Sequence, residues 1–283
     1  MHEITHIGVI GAGTMGHGVA QLAAMAGYET CLYDIDQARV DGGLEHIRSN
    51  FAGAIERGKA TLEERDQALA RLRTTTRLEE VCDSVGMVIE AAPEQIELKK
   101  ELFAKLSALT SSETVLATNT SSLSVTEIAA AATHSERVLG VHFFNPVHVM
   151  KLLELVRADQ TSEWALQRAH DVGRKMGKEL IVINDSAGFA SSRLGLVLGL
   201  EAMRMVEQGV ASPDDIDRAM VYGYRHPMGP LRVTDLVGLD VRLAIAEYLH
   251  AEIGEQFRPP QILRKLVRAG KLGKKTGEGF YKW

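Results

Sequence analysis

The chain has 283 residues, of which 45% are hydrophobic and 24% are charged, a mix typical of soluble globular proteins. This length is sufficient for one large domain or two ordinary ones. Because the net charge is −5, nothing attracts the chain as a whole to nucleic acid or to an anionic membrane, so we expect neither as a partner and expect any acidic ligand to be bound by local cations.

Cysteine content and the length of apolar runs bear on the compartment. There are two cysteines, Cys31 and Cys82, which support neither a disulfide framework nor a cysteine-rich metal site, so no metal is predicted. No apolar run approaches the length of a membrane span, and the chain begins with a strand pattern instead of a charged leader. These features predict a soluble protein of the cytoplasm.

The first motif is a glycine-rich turn between a strand and a helix. Residues 4–10 form a short apolar strand, and the alanine-rich helical pattern of residues 19–26 follows the turn. In such a turn the first glycine permits tight bending, the second lets a pyrophosphate approach the backbone, and the third lets helix pack on strand. The predicted cofactor contacts in this turn are Gly11, Gly13, Thr14, Met15 and Gly16.

An aspartate closes the second predicted strand, residues 29–33. Asp34 lies twenty-three residues after Gly11, about where a ribose-binding carboxylate belongs in a dinucleotide-binding fold. Its negative charge would repel a 2′-phosphate, so the sequence favours NAD over NADP. A flavin or another dinucleotide on the same fold, or an aspartate that merely ends a strand, remain as alternatives.

Residues 38–73 read as two charged helices, and residues 61–64 resemble a capping box for the second one. A compact crossover between strands needs fewer residues, so we expect a helical arm that reaches toward a ligand or partner. Arg48, Arg57 and Lys59 lie near the break and are candidate cations for an anionic substrate tail. The alternative is a solvated charged face.

Polar residues follow a later strand of the predicted sheet. Residues 86–92 and 115–119 are two apolar strands, and the second ends in Asn119-Thr120-Ser121-Ser122. Ligands of open α/β sheets bind beyond the carboxyl ends of the strands, so these side chains are candidates for ligand contact. The alternative is that a serine only caps the next helix.

The strongest catalytic candidate is a histidine–glutamate pair. The apolar residues 138–141 lead into His142-Phe143-Phe144-Asn145-Pro146, and Glu154 lies twelve residues after the histidine on the next predicted strand. Neighbouring strands joined by a short loop could set the imidazole against the carboxylate, which orients a general base for an alcohol proton. The alternative is a buried histidine bonded to backbone, with Glu154 a solvated charge.

The strand pattern stops after residues 179–184, and helical periodicity replaces it. We therefore predict an α/β Rossmann-type NAD-binding domain over residues 1–184 and an all-helical domain over residues 185–283. The helix that begins at Leu194 is apolar on nearly every face, which predicts full burial against its own domain and a second subunit. The closing segment, residues 273–281, mixes cations with glycines, and its alternative is a frayed basic terminus.

Several of these motifs together resemble the L-3-hydroxyacyl-CoA dehydrogenases, and the resemblance runs from end to end. The matching segments are the glycine-rich turn with Asp34, Asn119-Thr120-Ser121-Ser122, His142-Phe143-Phe144-Asn145-Pro146, Glu154, Tyr224-Arg225-His226-Pro227-Met228-Gly229-Pro230, and Gly277-Glu278-Gly279-Phe280-Tyr281. The histidine motif and the closing segment are the most specific of them.

The resemblance implies a Rossmann-type domain, a helical dimerisation domain that makes a homodimer, and an acyl-CoA substrate. It implies His142 as the base, Glu154 as its partner and Ser121 near the substrate hydroxyl. Its CoA-phosphate cations fall near Arg57 and Lys59. The family's cofactor positions fall on Asp34, Glu94, Lys99, Asn119, Asn145 and Lys275.

One position departs from the family pattern. Three residues after the phenylalanine of the Gly-Phe turn the family usually has an asparagine that helps to hold the substrate oxygen, whereas this chain has Ser192 at that position. A serine is shorter, so the contact is lost, carried by a water or taken over by Ser191. The preferred acyl group is therefore open.

The resulting hypothesis is NAD-dependent, reversible oxidation of an L-3-hydroxyacyl-CoA to the 3-ketoacyl-CoA. One alternative is a dehydrogenase of the same fold that acts on a free hydroxy acid, such as the gulonate-oxidising relatives. The other is a non-catalytic dinucleotide-binding protein, against which the presence of both His142 and Glu154 argues, since a scaffold needs no base with an orienting acid.

Overall fold

A computed structural model describes residues 3–283 of the chain, which form two compact units. The first unit ends at Asp185 and is α/β, and the second runs from Ser186 to Trp283 and is helical. The predicted fold class, a Rossmann-type α/β domain followed by an all-helical domain, is confirmed.

The first unit is built on one eight-stranded sheet with the order β3-β2-β1-β4-β5-β6-β7-β8. Its first six strands are parallel, β7 is antiparallel to β6, and β8 is parallel to β7. The strand order reverses between β1 and β4, and in such sheets this is where ligands bind. The strands are β1 His6–Ile10, β2 Glu29–Tyr33, β3 Leu72–Thr75, β4 Met87–Glu90, β5 Val115–Thr118, β6 Val138–Phe143, β7 Leu152–Arg157 and β8 Glu179–Asn184.

Helices cover both faces of the sheet, so its central strands are buried on both sides. All residues of β4, β5 and β6 are buried, which explains why these strands read as continuous apolar runs in the sequence. The helices of this unit are α1 Gly16–Met25, α2 Gln37–Glu56, α3 Leu62–Ala70, α4 Leu78–Cys82, α5 Ile96–Leu109, α6 Val125–Ala130 and α7 Glu163–Lys175.

The predicted arm at residues 38–73 consists of α2 and α3, but its helical part ends earlier than predicted. The capping box at Thr61 and Glu64 is present, and α3 ends at Ala70. Residues 72 and 73 belong instead to β3, which the sequence did not reveal as a strand. This short edge strand forms because it pairs in parallel with β2, a long-range contact that local charge patterns do not report.

The second unit packs its helices around a separate apolar core that includes Leu196, Leu200, Met203, Leu231 and Leu249. One helix, Pro230–Val237, was not predicted, although a proline at its first turn is a common helix start. A π-helical turn, Ala219–Gly223, follows the second helix. The α-helices are α8 Ser191–Glu207, α9 Pro213–Arg218, α10 Pro230–Val237, α11 Leu239–Glu252 and α12 Gln261–Arg268.

The helix from Leu194 is buried on one face in the single chain, and burial of its other face by a second subunit stays a prediction. In α8 one face, including Leu196 and Leu200, is buried, whereas Leu194 is 64% exposed and Leu198 is 41% exposed. The sequence pattern is apolar on both faces, but the neighbouring helices of one chain cover only one of them.

The closing segment is anchored to the rest of the second unit, which contradicts the alternative of a frayed terminus. Asp235 is fully buried, and its carboxylate accepts hydrogen bonds from the backbone N–H groups of Phe280 and Tyr281 and from Trp283 Nε1. Gly279 packs so closely against this carboxylate that a Cβ would lie 2.3 Å from Asp235 Oδ1. The glycine therefore permits the backbone to reach its anchor.

Both cysteines are buried and unpaired, as packing residues are. Burial raises the pKa of the Cys82 thiol to about 11, so the reactive thiolate is scarce near neutral pH. Within residues 3–283, no helix combines the length and the apolar character that crossing a bilayer demands.

Candidate active site

The glycine-rich turn lies at the carboxyl end of β1, where the strand order reverses. Gly11 has a φ of +96°, which favours glycine, and a Cβ on Gly16 would lie 1.6 Å from the carbonyl oxygen of Gly11. A Cβ on Gly13, in contrast, would meet no heavy atom within 4 Å. The turn itself therefore requires Gly11 and Gly16. Gly13 instead leaves free the space in front of its own backbone, where a ligand could lie.

This turn borders a cleft of about 870 Å³ that Asp34 also lines. Asp34 is buried, and its carboxylate accepts hydrogen bonds of 2.8 Å from the backbone N–H groups of Ala12 and Ile35. The aspartate thus ties the end of β2 to the glycine-rich turn. An open backbone cradle for phosphates and a carboxylate at the next strand end fit the pyrophosphate and ribose of a dinucleotide.

The different surroundings of Gly13 and Gly16 give a testable contrast. We expect Gly13→Ala to leave the thermal midpoint of unfolding nearly unchanged but to raise the Kd for NADH at least tenfold, because its methyl group occupies the phosphate cradle. Gly16→Ala is expected to lower the midpoint by several degrees, because the methyl group collides with the Gly11 carbonyl. Thermal scanning and NADH fluorescence titration measure both effects; equal midpoints for the two variants would contradict this interpretation.

The histidine–glutamate pair is formed as the strand pattern predicted. His142 on β6 lies directly opposite Glu154 on antiparallel β7, and Nδ1 of the imidazole is 2.6 Å from Oε2 of the carboxylate. His142 is 6% exposed and Glu154 is fully buried, so the alternative of a solvated glutamate is wrong. The ring of Phe144 packs against the imidazole with a centroid distance of 4.4 Å.

This geometry selects one tautomer of the imidazole. When the Nδ1–H group donates a hydrogen bond to the carboxylate, the acceptor lone pair of the neutral ring is on Nε2. The buried carboxylate also stabilises the imidazolium that forms if Nε2 takes a proton. The arrangement is therefore suited to general base and general acid chemistry.

The polar turn after β5 lies beside the histidine strand. Asn119 Oδ1 accepts a hydrogen bond of 2.9 Å from the backbone N–H of Phe143, so this side chain joins the ends of β5 and β6. The backbone N–H and the hydroxyl of Ser121 both donate to Glu94 Oε1, at 2.8 and 3.1 Å. Hydrogen bonds thus join Ser121 to Glu94, and Asn119 ties the same turn to β6.

A buried ion pair beneath this turn was missed by the sequence analysis. Glu90 and Lys99 are both fully buried, and Lys99 Nζ lies 2.6 Å from Glu90 Oε1 and 3.6 Å from Glu94 Oε2. Glu90 also accepts a hydrogen bond from Thr118 on β5. The available signal was a carboxylate that ends an otherwise apolar strand, where an unpaired charge is costly.

Lys99, which the family pattern predicts as a cofactor contact, is buried in this structure. Its side chain has no exposed surface, and its ammonium group is held by Glu90, by Glu94 and by the carbonyl oxygen of Ala92. Such a lysine acts on a ligand only through the groups that it holds. Glu94, another predicted cofactor contact, has a side chain that is 37% exposed.

The remaining predicted residues of the first unit are on its surface. Arg57 and Lys59 are exposed at the end of α2, and Asn145 is exposed in the loop after β6. The charge of Arg57 contributes to lowering the pKa of His148 in that loop, after burial and the charges of His17 and Lys178. Arg57 therefore lies within electrostatic reach of the loop that follows His142.

Two predicted residues belong to the second unit. Ser192 is half-buried in the first turn of α8, next to Ser191. Lys275 lies in the anchored closing segment, and its ammonium group pairs with Asp240 Oδ2 at 2.7 Å. This pairing fixes Lys275 against the start of α11.

The fold and the site define a class, the NAD-dependent dehydrogenases. The family model "3-hydroxyacyl-CoA dehydrogenase, NAD binding domain" matches residues 6–186, and "3-hydroxyacyl-CoA dehydrogenase, C-terminal domain" matches residues 188–283. The chain therefore belongs to the 3-hydroxyacyl-CoA dehydrogenase family, and it is an NAD-dependent enzyme of that family.

Individual relatives agree with this assignment. The chain is 43% identical to the 3-hydroxybutyryl-CoA dehydrogenase of Mycobacterium tuberculosis over 98% of each chain. The crystal structure of M. tuberculosis FadB2 matches with a TM-score of 0.95 and 42% identity over the whole of both chains. The crystal structure of (S)-3-hydroxybutyryl-CoA dehydrogenase PaaH1 from Ralstonia eutropha matches with a TM-score of 0.95 and 37% identity over 99% of each chain.

Proposed function

We propose that this chain catalyses the reversible oxidation of an L-3-hydroxyacyl-CoA to the 3-ketoacyl-CoA, with His142 as the general base and Glu154 as its orienting partner. The observation that carries this proposal is the buried contact of 2.6 Å between the imidazole and the carboxylate, on a fold of the 3-hydroxyacyl-CoA dehydrogenase family. The names of the relatives support a short acyl group such as 3-hydroxybutyryl.

In oxidation, His142 Nε2 takes the proton of the substrate hydroxyl, and Glu154 stabilises the resulting imidazolium. Bound NAD would accept the hydride that leaves C3 of the substrate. In reduction, the imidazolium returns the proton to the oxygen as a general acid. The pair is suited to both directions because its geometry holds the same nitrogen toward the reacting oxygen in either protonation state.

Ser121 is proposed to donate a hydrogen bond to the substrate oxygen. Its hydroxyl donates to Glu94 Oε1 in this structure, and a rotation about χ1 would redirect that hydrogen bond. The backbone N–H of Ser121 holds the turn through the same carboxylate. Ser192 is proposed as a further substrate contact from the second unit.

The proposed cofactor contacts are of two kinds. Those of the glycine-rich turn are Gly11, Gly13, Thr14, Met15 and Gly16, with Asp34 for the ribose. Glu94, Asn119, Asn145 and Lys275 are proposed on the strength of the family pattern. We propose Lys99 as a positioning residue, because it is buried beneath Glu94 and has no exposed surface.

Recognition of CoA is proposed to use Arg57 and Lys59. Both side chains are exposed, and within residues 3–283 neither has an acidic group within 4.0 Å, so both charges are available to phosphates. This favours a CoA thioester over a free hydroxy acid, which carries no phosphate.

The exposed apolar face of α8, with Leu194 and Leu198, supports the proposal of a homodimer through the second unit. Sedimentation velocity at several concentrations tests it, and a single monomeric species at micromolar concentration would contradict it.

The proposed reaction is tested in the oxidative direction with the L and D enantiomers of 3-hydroxybutyryl-CoA. We expect the purified protein to form NADH from NAD with the L enantiomer only, and to use NADP at least tenfold less efficiently because Asp34 opposes a 2′-phosphate. Equal rates with both enantiomers, or no NADH with either while NADH still binds, would contradict the assignment.

A further inference from the structure

The second unit contains a buried arginine that has no acidic neighbour among residues 3–283. Arg242, on α11, is 7% exposed, and within residues 3–283 its guanidinium has no acidic group within 4.0 Å and makes no hydrogen bond. Its Nε atom is fully buried without a partner. Burial alone lowers the pKa of Arg242, and no neighbouring carboxylate offsets this effect.

Such an arrangement costs free energy, which an anion beside the guanidinium would offset. The guanidinium stays protonated in proteins, so Arg242 cannot avoid the cost of burial by losing its charge. Buried charges are normally paired, and an anion that forms charge-assisted hydrogen bonds is the expected partner. The planar fork of an arginine matches a carboxylate with two parallel hydrogen bonds.

The guanidinium faces a gap on α8. Gly195 has no side chain, and a Cβ there would lie 3.9 Å from both Nη1 and Nη2 of Arg242. Among residues 3–283, apart from the helix's own backbone and the adjacent residues, no other heavy atom lies within 4 Å of that point. The absence of a side chain at Gly195 thus leaves a gap of about one methyl group between α8 and the two terminal nitrogens of Arg242.

A second unpaired polar group lies one turn further along the same helix face. Thr234 Oγ1 is buried without a hydrogen-bond partner, and it would lie 2.9 Å from a Cβ on Gly199. Gly195 and Gly199 are four residues apart, so they share one face of α8. Two glycines and two unpartnered polar groups therefore line this face.

The gap is close to the proposed substrate contact Ser192. Gly195 follows Ser192 by three residues, which puts both on the same face of α8 and separates them by about 4.5 Å along the helix axis. An extended chain of three carbon–carbon bonds has a similar length. A group three or four carbons beyond the reacting C3 of an acyl chain bound at Ser192 would thus reach the guanidinium.

We propose that Arg242 binds a carboxylate at the far end of the acyl group, so that among 3-hydroxyacyl-CoA thioesters of equal chain length this enzyme prefers those with a terminal carboxylate to those with a terminal methyl group. This inference rests on the proposed function, because it uses Ser192 as the substrate contact. It also gives a reason for serine at that position, since a shorter side chain leaves room for the acyl chain to continue along α8 toward Gly195.

The test compares two six-carbon thioesters, 3-hydroxyadipyl-CoA with a terminal carboxylate and 3-hydroxyhexanoyl-CoA with a terminal methyl group. The wild type is expected to oxidise the first with a kcat/KM at least tenfold higher. Arg242→Met, which keeps an unbranched apolar stem and removes the guanidinium with its charge, is expected to lower kcat/KM for the carboxylate substrate at least tenfold and to leave the methyl substrate within about twofold.

Two further variants separate the effect from general damage. Gly195→Ala places a methyl group in the gap at an ordinary contact distance from the guanidinium, so it is expected to fold and to lower kcat/KM for the carboxylate substrate selectively. Arg218→Met removes an exposed arginine of the same unit, and the ratio of the two efficiencies is expected to stay at the wild-type value.

The outcomes distinguish failure of this inference from failure of the proposed function. If neither thioester is oxidised with NAD, the proposed function itself is wrong. If both are oxidised equally well and Arg242→Met leaves their ratio unchanged, the inference is overturned. It is also overturned if Arg242→Met leaves that ratio unchanged but shifts sedimentation toward a smaller species, because the arginine then pairs with a carboxylate of a second copy.

Discussion

Replacement of His142 by alanine is expected to reduce kcat for the reduction of acetoacetyl-CoA by about a hundredfold to ten-thousandfold, the usual contribution of a positioned acid or base. The Kd for NADH is expected to change less than threefold, because the glycine-rich turn and Asp34 are not altered. Stopped-flow single-turnover measurements and fluorescence titration separate the two effects.

Glu154→Gln is the matched variant for the other half of the pair. Glutamine keeps the size of the side chain but removes the charge that stabilises the imidazolium, so kcat is expected to fall in the same direction with NADH affinity retained. Since Glu154 is fully buried opposite His142, circular dichroism is the control for folding. A parallel loss of NADH affinity and turnover in both variants would show that the pair only maintains the fold.

Lys99→Met is expected to lower the free energy of unfolding by about 3–5 kcal/mol, because it leaves Glu90 as an unpaired charge in the interior. The double variant Lys99→Met with Glu90→Gln removes both charges, and it is expected to recover much of this loss. Urea denaturation followed by circular dichroism gives the free energies for the double-mutant cycle.

The neighbouring residue Lys100 provides a control for the loss of a lysine. Lys100 forms its ion pairs with Glu97 and Glu127 at the surface, where such pairs contribute little. Lys100→Met is therefore expected to leave the urea midpoint close to that of the wild type. If Lys99→Met also unfolds at the wild-type midpoint, the buried pair has no structural role and Lys99 returns to consideration as a direct ligand contact.

The main features of the first unit could be predicted because their signals are local. The strand before Gly11, the three glycines and the strand that ends at Asp34 are contiguous in sequence, and each glycine has a separate physical reason. The contact of His142 with Glu154 was also predictable, since a short connection between two strands makes them neighbours.

Other features depend on contacts between distant residues and left no clear local signal. The edge strand β3 is stabilised by β2, about forty residues earlier, and its own sequence is polar enough to read as the end of a helix. The apolar pattern on both faces of α8 does not say which face the single chain covers and which face is left for a second subunit.

Burial of charge was the hardest property to predict. Lys99 lies next to Lys100 in a helix rich in charged residues, and only the fold shows that one ammonium group is buried and the other is at the surface. Arg242 likewise follows an ordinary helical pattern, and its isolation becomes visible only when the surroundings of its guanidinium are known. Such sites need coordinates because the cost of a buried charge depends on its environment.

The measurement that tests the central assignment most directly is NADH oxidation by the purified protein with acetoacetyl-CoA, compared with free acetoacetate under the same conditions. The account predicts turnover with the thioester at a kcat/KM at least a hundredfold above that of the free acid, because Arg57 and Lys59 are available to bind the CoA phosphates. Equal efficiency with free acetoacetate would contradict it and would assign the chain to the dehydrogenases of free hydroxy acids.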